Sequence, residues 1–509
     1  MIRIAALVLV LMAQSPLWGA GQRKIPAPSG LPTVIPTETL RVKDGDNLIL
    51  RASFVKEKVG KHWVTRLAYN RQIPGPTIVV RKGSRLNVRM INETGEPTAL
   101  HSHGLRVDDK NDGVVGIGQD PIPHGGEMIY HLKFPDPGIY WYHPHLADEY
   151  AQEMGLQGNF LVEDAQANGV WELGRADREE VLMLDDILVE KNQLPFFESK
   201  KVTFALMGRY GNYMTINNRR DWRMNVKQGE VARFWLTNSA NARPFKIKFQ
   251  GALMKWRGSD NGMLESDELV ESITLAPSER ALVDVFFPKA GDVRIVNAGP
   301  KDPVAMGLIR VASDLKIPRE AIASRERDFK VLARRDGLTQ EFKPLRALSG
   351  AKPDITTRID ATIKGEHADH VMGGAVTADG IEWDDTMSAM GSEITSDDVV
   401  WRVIDESTGK ENMDINWKFK KNVPVKIKIS NQGKNHPMQH PIHFHGQRFL
   451  VITRNGKEQR NLGWKDTALI SAGETMEVVL DNQNPGRWMG HCHISEHLGS
   501  GMMFGFEVH

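Results

Sequence analysis

A single thiol lies among imidazoles near the C-terminal end of the chain. Residues 491–497 read His-Cys-His-Ile-Ser-Glu-His, Met502 follows shortly after, and Cys492 is the one cysteine among 509 residues. A thiolate, imidazoles and a more distant thioether make up the soft ligand set of a blue copper site. These residue types and their spacing therefore predict a metal centre that handles electrons.

The tripeptide around Cys492 offers ligands on two sides. In a β-strand successive side chains point to opposite faces, so Cys492 would face one way while His491 and His493 face the other, about 6.6 Å apart. Such a strand would hold a metal on each side, joined by a covalent path. We expect electrons to arrive at Cys492 and to leave through its neighbours.

Three more histidine clusters precede this segment. They contain His101, His103, His143, His145, His440, His443 and His445. Histidines two residues apart on a strand share one face, as a multinuclear metal cluster requires. One such pair is weak evidence, but several pairs in two distant parts of the chain are strong evidence. Imidazole suits copper, zinc, iron or nickel, and the thiol and thioether favour copper over zinc.

The elements that would position these clusters are strands of a repeated all-β unit. Residues 83–92, 229–238 and 422–431 each alternate polar and apolar side chains and end on Asn. Their domain-sized separation predicts three copies of one β-sandwich. Pro-Gly precedes both the 143–145 and the 491–493 clusters, whereas the middle copy keeps Gly291 but has Val296 and Ala298 in place of histidines. The middle domain is therefore predicted to be a scaffold without a metal site.

The predicted organisation begins with a secretory signal at residues 1–20. Domains follow at 38–165, 170–312 and 355–509, with a charged linker at 313–354. No segment is long enough to span a membrane. A net charge of +1 gives no reason to propose nucleic acid as a partner. The exported protein would be periplasmic or extracellular.

The four histidine clusters, with the run from His491 to Met502, closely resemble the copper-binding motifs of three-domain multicopper oxidases, which include laccases and bacterial cuprous oxidases. The resemblance implies three consecutive cupredoxin-like Greek-key β-sandwich domains and four copper ions. It implies a type 1 copper held by His440, Cys492 and His497, with Met502 as axial ligand. It also implies a type 2 copper on His101 and His443, and two type 3 coppers on His103, His143, His493 and on His145, His445, His491.

The resemblance also implies second-sphere acids, because dioxygen reduction consumes protons. Asp112 matches an acidic residue near the copper cluster. Asp466 matches a carboxylate beside a type 1 histidine. Many bacterial relatives carry a glutamate directly after the last type 1 histidine, where this chain has Leu498. Glu496, on the other side of His497, is the remaining acidic candidate, and the proton route stays open.

The predicted function is laccase-like: one-electron oxidation of a phenol or aromatic amine coupled to reduction of dioxygen to water. A cuprous oxidase that detoxifies Cu(I) is the alternative, since Met372, Met387, Met390 and Met413 are present, with His367 and His370 near the first of them. These methionines are spread out, as in a core that uses flexible side chains as filler. A copper-binding protein without turnover is an alternative of another class, although storage needs no dioxygen site.

Overall fold

The computed structural model describes residues 24–164, 173–190, 194, 202–313, 318–364, 376–385, 395–433 and 437–509. The predicted signal peptide lies outside these residues, as do His367, His370, Met372, Met387 and Met390. The described residues form six β-sheets, two in each successive third of the chain. The domain limits drawn from the sequence stay a prediction.

The first domain pairs a five-stranded and a four-stranded sheet. Its strands are β1 (Thr39–Arg41), β2 (Asn47–Val59), β3 (His62–Tyr69), β4 (Thr77–Arg81), β5 (Arg85–Glu93), β6 (His101–His103), β7 (Glu127–Lys133), β8 (Gly138–His143) and β9 (Gly158–Glu163). The sheet orders are β1-β4-β9-β8-β6 and β3-β2-β5-β7. Alternate residues of β5 (Leu86, Val88 and Met90) are buried between the sheets, as expected of a sandwich.

The middle domain pairs a six-stranded and a five-stranded sheet. Its strands are β10 (Arg178–Ile187), β11 (Tyr213–Ile216), β12 (Trp222–Lys227), β13 (Val231–Asn238), β14 (Phe245–Phe249), β15 (Leu253–Ser259), β16 (Gly262–Val270), β17 (Ile273–Leu275), β18 (Arg280–Phe286), β19 (Gly291–Asn297) and β20 (Val304–Ala312). The orders are β11-β10-β13-β18-β15-β16 and β12-β20-β19-β14-β17.

The third domain repeats this arrangement strand for strand. Its strands are β21 (Ile355–Ile363), β22 (Val399–Asp405), β23 (Asn416–Phe419), β24 (Val425–Ser430), β25 (His440–Phe444), β26 (Phe449–Arg454), β27 (Lys457–Glu458), β28 (Thr467–Ile470), β29 (Thr475–Leu480), β30 (Gly486–Cys492) and β31 (Met503–Val508). The orders are β22-β21-β24-β29-β26-β27 and β23-β31-β30-β25-β28.

The strand predicted to occur three times holds the same place in each domain. It is β5, β13 and β24, each pairing parallel with the long strand before it (β2, β10, β21) and antiparallel with β7, β18 or β29. The histidine-bearing strands β8 and β30 likewise match β19 of the middle domain. The predicted all-β fold with three sandwich copies is confirmed.

Short helices connect the sheets: α1 (Asp148–Ala151), α2 (Val202–Met207), α3 (Arg319–Lys330), α4 (Asp336–Arg346) and α5 (Ser495–Gly499). Helices α3 and α4 lie in the segment that was predicted from the sequence to be a charged linker. One face of α4 buries Leu338, Phe342 and Leu345 in an apolar cluster shared by all three domains. The segment therefore fills space at the centre of the molecule.

No helix among the described residues is long and apolar enough to cross a membrane.

The turn after His445 requires glycine. Gly446 has a φ of 64°, and a Cβ at this position would overlap the ring of Trp488, which is buried in the core of the third domain. We expect Gly446→Ala to lower the free energy of unfolding by about 1–3 kcal/mol, the cost of overpacking, in addition to backbone strain.

Gly456→Ala is the matched control, because Gly456 has a φ of 72° and open space around its Cβ position. Thermal unfolding of both variants would separate the loss of stability caused by backbone strain, which both share, from the loss caused by overlap with Trp488. Equal losses in the two variants would contradict the role given to the Trp488 ring.

Candidate metal centre

The mononuclear ligand set comes together inside the third domain. His440 begins β25, Cys492 ends the neighbouring strand β30, and His497 lies on α5. The Cys492 Sγ lies 3.7 Å from His440 Nδ1 and 3.6 Å from His497 Nδ1, and the two nitrogens are 3.2 Å apart. All three side chains are 0% exposed. Three soft ligand atoms thus converge on one buried point.

The middle domain supports this set from the outside. The Nε2–H of His497 donates to the carbonyl of Leu206, on α2, at 3.0 Å, which leaves the Nδ1 lone pair for a metal. Trp401 packs its ring against both histidines, 4.8 Å from His440 and 4.4 Å from His497, and donates its indole N–H to Ala205 on the same helix.

Met502 is buried beside the same residues. Its backbone N–H donates to the His497 carbonyl and its carbonyl accepts from the Cys492 N–H, at 2.9 and 3.1 Å. The role of axial ligand predicted for Met502 stays a prediction.

A second constellation lies between the first and third domains. In each of these domains, the register of two neighbouring strands places two histidines opposite each other. In the first domain His101 of β6 pairs with His143 of β8, and in the third His443 of β25 pairs with His491 of β30. Rings from the two domains meet closely: His103 and His443 stack with centroids 3.8 Å apart. Eight histidines come together here: His101, His103, His143, His145, His443, His445, His491 and His493.

Acceptors on the protein set the tautomer of most of these rings. A carbonyl or carboxylate oxygen can only accept, so each Nδ1 facing one carries the proton and its Nε2 keeps a lone pair. The acceptors are the carbonyls of Asp112 for His101 (2.6 Å), Pro144 for His143 (2.6 Å), Asp466 for His443 (2.8 Å) and Cys492 for His491 (2.8 Å), and the Asp112 carboxylate for His445 (2.8 Å).

The Nε2 atoms then face one another without a donor. His445 Nε2 and His491 Nε2, both acceptors, are 2.9 Å apart, and His145 Nε2 lies 3.5 Å from His491 Nε2. Buried Nε2 atoms with no hydrogen-bond partner among the described residues belong to His101, His103, His143, His443 and His493. Converging buried lone pairs are unfavourable unless a cation lies between them. The donor set therefore fits bound metal ions.

The electrostatics of the site keep these ligands in metal-binding form. Burial, with neighbouring histidines, holds the pKa of most rings well below the usual value, and burial lowers the pKa of His491 to about 4. These seven imidazoles, which do not include His101, are therefore neutral near pH 7. Burial raises the pKa of the Cys492 thiol, so a thiolate there needs a cation beside it.

Asp112 lies against the second constellation, where the sequence analysis expected it. It is 2% exposed, its Oδ2 accepts from His445 Nδ1, and its Oδ1 lies 3.4 Å from His101 Nδ1. One carboxylate thus contacts a histidine of the first domain and a histidine of the third domain.

Asp466 is not where the sequence analysis expected it. Its carboxylate lies 3.3 Å from His103 Nδ1 and 3.7 Å from His443 Nδ1, at the second constellation and away from the mononuclear set. The cause is its position directly before β28, which pairs Thr467 with His443. At 0% exposure, Asp466 is also closed to a substrate at the surface.

Glu496 lies on α5 and forms an ion pair with Arg209 of the middle domain, Oε1 to Nε, at 2.8 Å. Burial raises the pKa of its carboxyl, and Arg209 opposes that shift. The described contacts of Glu496 do not include any of the eight histidines. Its predicted catalytic role therefore stays a prediction.

Sequence reasoning missed the contribution of the middle domain. Leu206 and Arg280 touch the two ligand sets directly, yet neither residue type carries a metal-site signal. Among the described residues, the groups of potential ligands close enough to hold a metal draw on the first and third domains. The absence of histidine from the middle domain therefore concealed its part in shaping both sites.

Fold and site together define a copper protein of linked cupredoxin-like domains with a mononuclear and a multinuclear centre. Two family profiles described as multicopper oxidase match residues 52–167 and 388–509. A multicopper oxidase of Staphylococcus aureus is 26% identical over 452 residues, 87% of this chain and 83% of that protein. A Neurospora crassa laccase is 24% identical over an alignment of 519 positions, which covers 91% of this chain and 76% of that protein.

Solved structures agree with this. The multicopper oxidase from Pseudomonas thermotolerans superposes with a TM-score of 0.67 at 25% identity, covering 93% of this chain and 100% of that one. The chain belongs to the multicopper oxidases, enzymes that use four copper ions to couple oxidation of a reducing substrate to reduction of dioxygen. A copper-storage role without turnover does not fit this family.

We expect Cys492→Ser to abolish the intense blue absorption and to reduce oxidase activity to background. The absorption arises from thiolate bound to copper, and a hydroxyl cannot replace that bond. Visible absorption, oxygen uptake and far-ultraviolet circular dichroism measure colour, activity and fold. Met489→Leu, a buried change on the same strand, is the control and should stay blue. Blue colour in Cys492→Ser would disprove the assignment.

Proposed function

We propose that the protein is an exported, laccase-like oxidase whose type 1 copper is held by His440, Cys492 and His497, with Met502 as axial ligand. The trinuclear cluster would take His101 and His443 for type 2 copper, His103, His143 and His493 for one type 3 copper, and His145, His445 and His491 for the other. The observation that carries this proposal is the convergence of buried Nε2 lone pairs between the first and third domains.

The path between the two sites is a short piece of one strand. Cys492 is covalently flanked by His491 and His493, and His491 Nδ1–H donates to the Cys492 carbonyl at 2.8 Å. The bound coppers supply one-electron redox chemistry and the site of dioxygen reduction. The chain itself holds Cys492 dry, orients both neighbouring rings and keeps them neutral, so that electrons pass from the thiolate side to the imidazole side of β30.

Phenols or aromatic amines are the proposed reductants, in keeping with the laccase among the relatives. His440, Cys492 and His497 are 0% exposed, so a substrate would give its electrons through the residues that cover them. Such outer-sphere transfer tolerates varied donors, because the reductant needs no bond to the metal.

Oxidation of Cu(I) is a second candidate, and one observation favours it. The outer Nε2 edge of His497 is closed by the Leu206 carbonyl at 3.0 Å, so an aromatic ring cannot hydrogen-bond to this histidine. A small metal ion bound nearby needs no such contact. The methionines that would bind it, apart from Met413, lie outside the described residues.

Oxygen uptake by the copper-loaded protein, with a phenol and Cu(I) supplied in parallel, distinguishes the two. Phenol-driven uptake with little preference for Cu(I) is the expected result. A strong preference for Cu(I) would replace the laccase-like proposal by copper detoxification. Cys492→Ser is the control in both assays, and no uptake by the wild type with any reductant would refute oxidase function.

Export is proposed from the charged start and apolar run of residues 1–20. Sequencing the N-terminus of protein recovered outside the cytoplasm would test it, with a start near residue 21 expected. An intact Met1 on cytoplasmic protein would contradict export.

Asp112 is proposed to supply protons to dioxygen reduction, since its carboxylate touches His101 and His445. Asp112→Asn keeps the shape and the carbonyl that accepts from His101 but loses the exchangeable proton. We expect reoxidation of the reduced enzyme by dioxygen to slow by about 10²-fold or more, while anaerobic reduction of the blue copper is unchanged.

Stopped-flow absorption follows both steps. Asp108→Asn is the matched control, because Asp108 is exposed and paired with Lys133. Unchanged reoxidation in Asp112→Asn would remove Asp112 from the proton supply.

A further inference from the structure

A buried arginine of the middle domain lies where all three domains meet. Arg280, at the start of β18, is 1% exposed. Its Nη1 donates to Asp466 Oδ1 at 2.6 Å and to the Ser278 carbonyl at 2.9 Å. Its Nη2 donates to Asn261 Oδ1 at 3.0 Å and also meets Asp466 Oδ2, and its Nε donates to the carbonyl of Ile139 of the first domain at 3.2 Å. The guanidinium is held rigidly.

Asp466 joins this arginine to two histidines of different domains. Its carboxylate Oδ1 lies 3.3 Å from Nδ1 of His103 in the first domain. Its backbone carbonyl accepts from Nδ1 of His443 in the third domain at 2.8 Å. The Thr467 hydroxyl donates to the same Oδ1 at 2.9 Å. One residue therefore faces the Nδ1 side of two rings whose Nε2 atoms point into the constellation.

The backbone of the first domain packs directly on this pair. Gly104 follows His103 with a φ of 85°, and a Cβ there would overlap Asp466 and lie 2.7 Å from Arg280 Nη2. The Gly104 carbonyl accepts from Asn261 Nδ2 at 3.2 Å. The position of His103 is thus tied to the Arg280–Asp466 pair through its own side chain and through the next residue.

The neighbouring charges leave Arg280 as the cation that neutralises Asp466. Lys465, the nearby buried cation, pairs with Asp260 and Glu279, each at 3.1 Å. Asp260 also accepts from the Arg280 backbone N–H at 2.8 Å. Removing the guanidinium would leave the Asp466 carboxylate buried without its bidentate partner, a costly state that the side chain would avoid by turning.

We propose that Arg280 is a positioning residue for the trinuclear copper centre. Its Nη1 lies 3.4 Å from His103 Nδ1. Through this contact and through Asp466 it fixes the orientation of His103 and His443, and so aligns the half-site of the first domain with that of the third. This proposal rests on the proposed trinuclear site. The middle domain would then set the geometry of a copper cluster to which it gives no ligand.

Arg280→Gln and Arg280→Lys test the proposal in the full-length, copper-loaded protein. Glutamine removes the charge, whereas lysine keeps it without the two-pronged geometry. We expect Arg280→Gln to lose or distort the type 2 copper resonance and the near-ultraviolet band of the type 3 pair, and to slow dioxygen reduction about 10- to 100-fold. The blue absorption at Cys492 should stay, and Arg280→Lys should fall between Arg280→Gln and the wild type.

Arg233→Gln is the matched control, because Arg233 is a buried arginine of the same domain paired with Asp284 at 2.8 Å, away from the histidines. It should lower stability without changing either copper signature. Parallel loss of the type 1 and trinuclear signals in Arg280→Gln would indicate general unfolding and overturn the positioning role, as would unchanged trinuclear signals.

If Arg280→Gln does not fold, Arg280→Lys tests the positioning role instead. A trinuclear signature identical to that of the wild type in Arg280→Lys would overturn the proposal, and a selective change would support it. Copper content and oxygen uptake of the wild type test the proposed function separately, so a failure of either idea can be told from a failure of the other.

Discussion

Neutral imidazoles that face one another with their lone pairs are the constraint on which the structure depends. His445 and His491 approach to 2.9 Å between atoms that both accept hydrogen bonds, and neighbouring Nε2 atoms are buried without partners among the described residues. His145 of the first domain also brings its Nε2 to 3.5 Å from His491 Nε2, so without a cation these contacts cost desolvation and repulsion at the boundary of two domains. Metal binding and the docking of the first domain on the third are therefore coupled, since free energy gained by one stabilises the other.

The sandwich scaffold supplies the precision that such a cluster needs. Four of the five acceptors that hold an Nδ1 proton are backbone carbonyls, and those of Pro144 and Cys492 belong to the residues directly after the histidines that they hold. Because those carbonyls belong to strands or to residues directly after them, the ring orientations follow from strand register and not from flexible side chains. The same strand, β30, carries proposed ligands of both sites, so their separation is fixed by its covalent geometry.

Much of this was predictable because strand periodicity is local. Histidines two residues apart share a face wherever the segment is a strand, and the repeated alternation at 83–92, 229–238 and 422–431 marks one strand in three domains. The position of Asp466 was not predictable, because it depends on which histidine β28 faces. Helix α4 was also missed: Gly337 and Pro344 are poor helix formers, and its apolar face became evident only as part of a cluster built by three domains.

The middle domain shows why absence of ligands is a poor guide to function. It lacks histidine, yet Leu206 closes one edge of His497 and Arg280 holds the acid that faces His103 and His443. The middle domain thus contacts both ends of the proposed electron path. A two-domain arrangement with the same histidines would lose these contacts. The middle sandwich contributes to the geometry of both sites, although it gives no ligand to either of them.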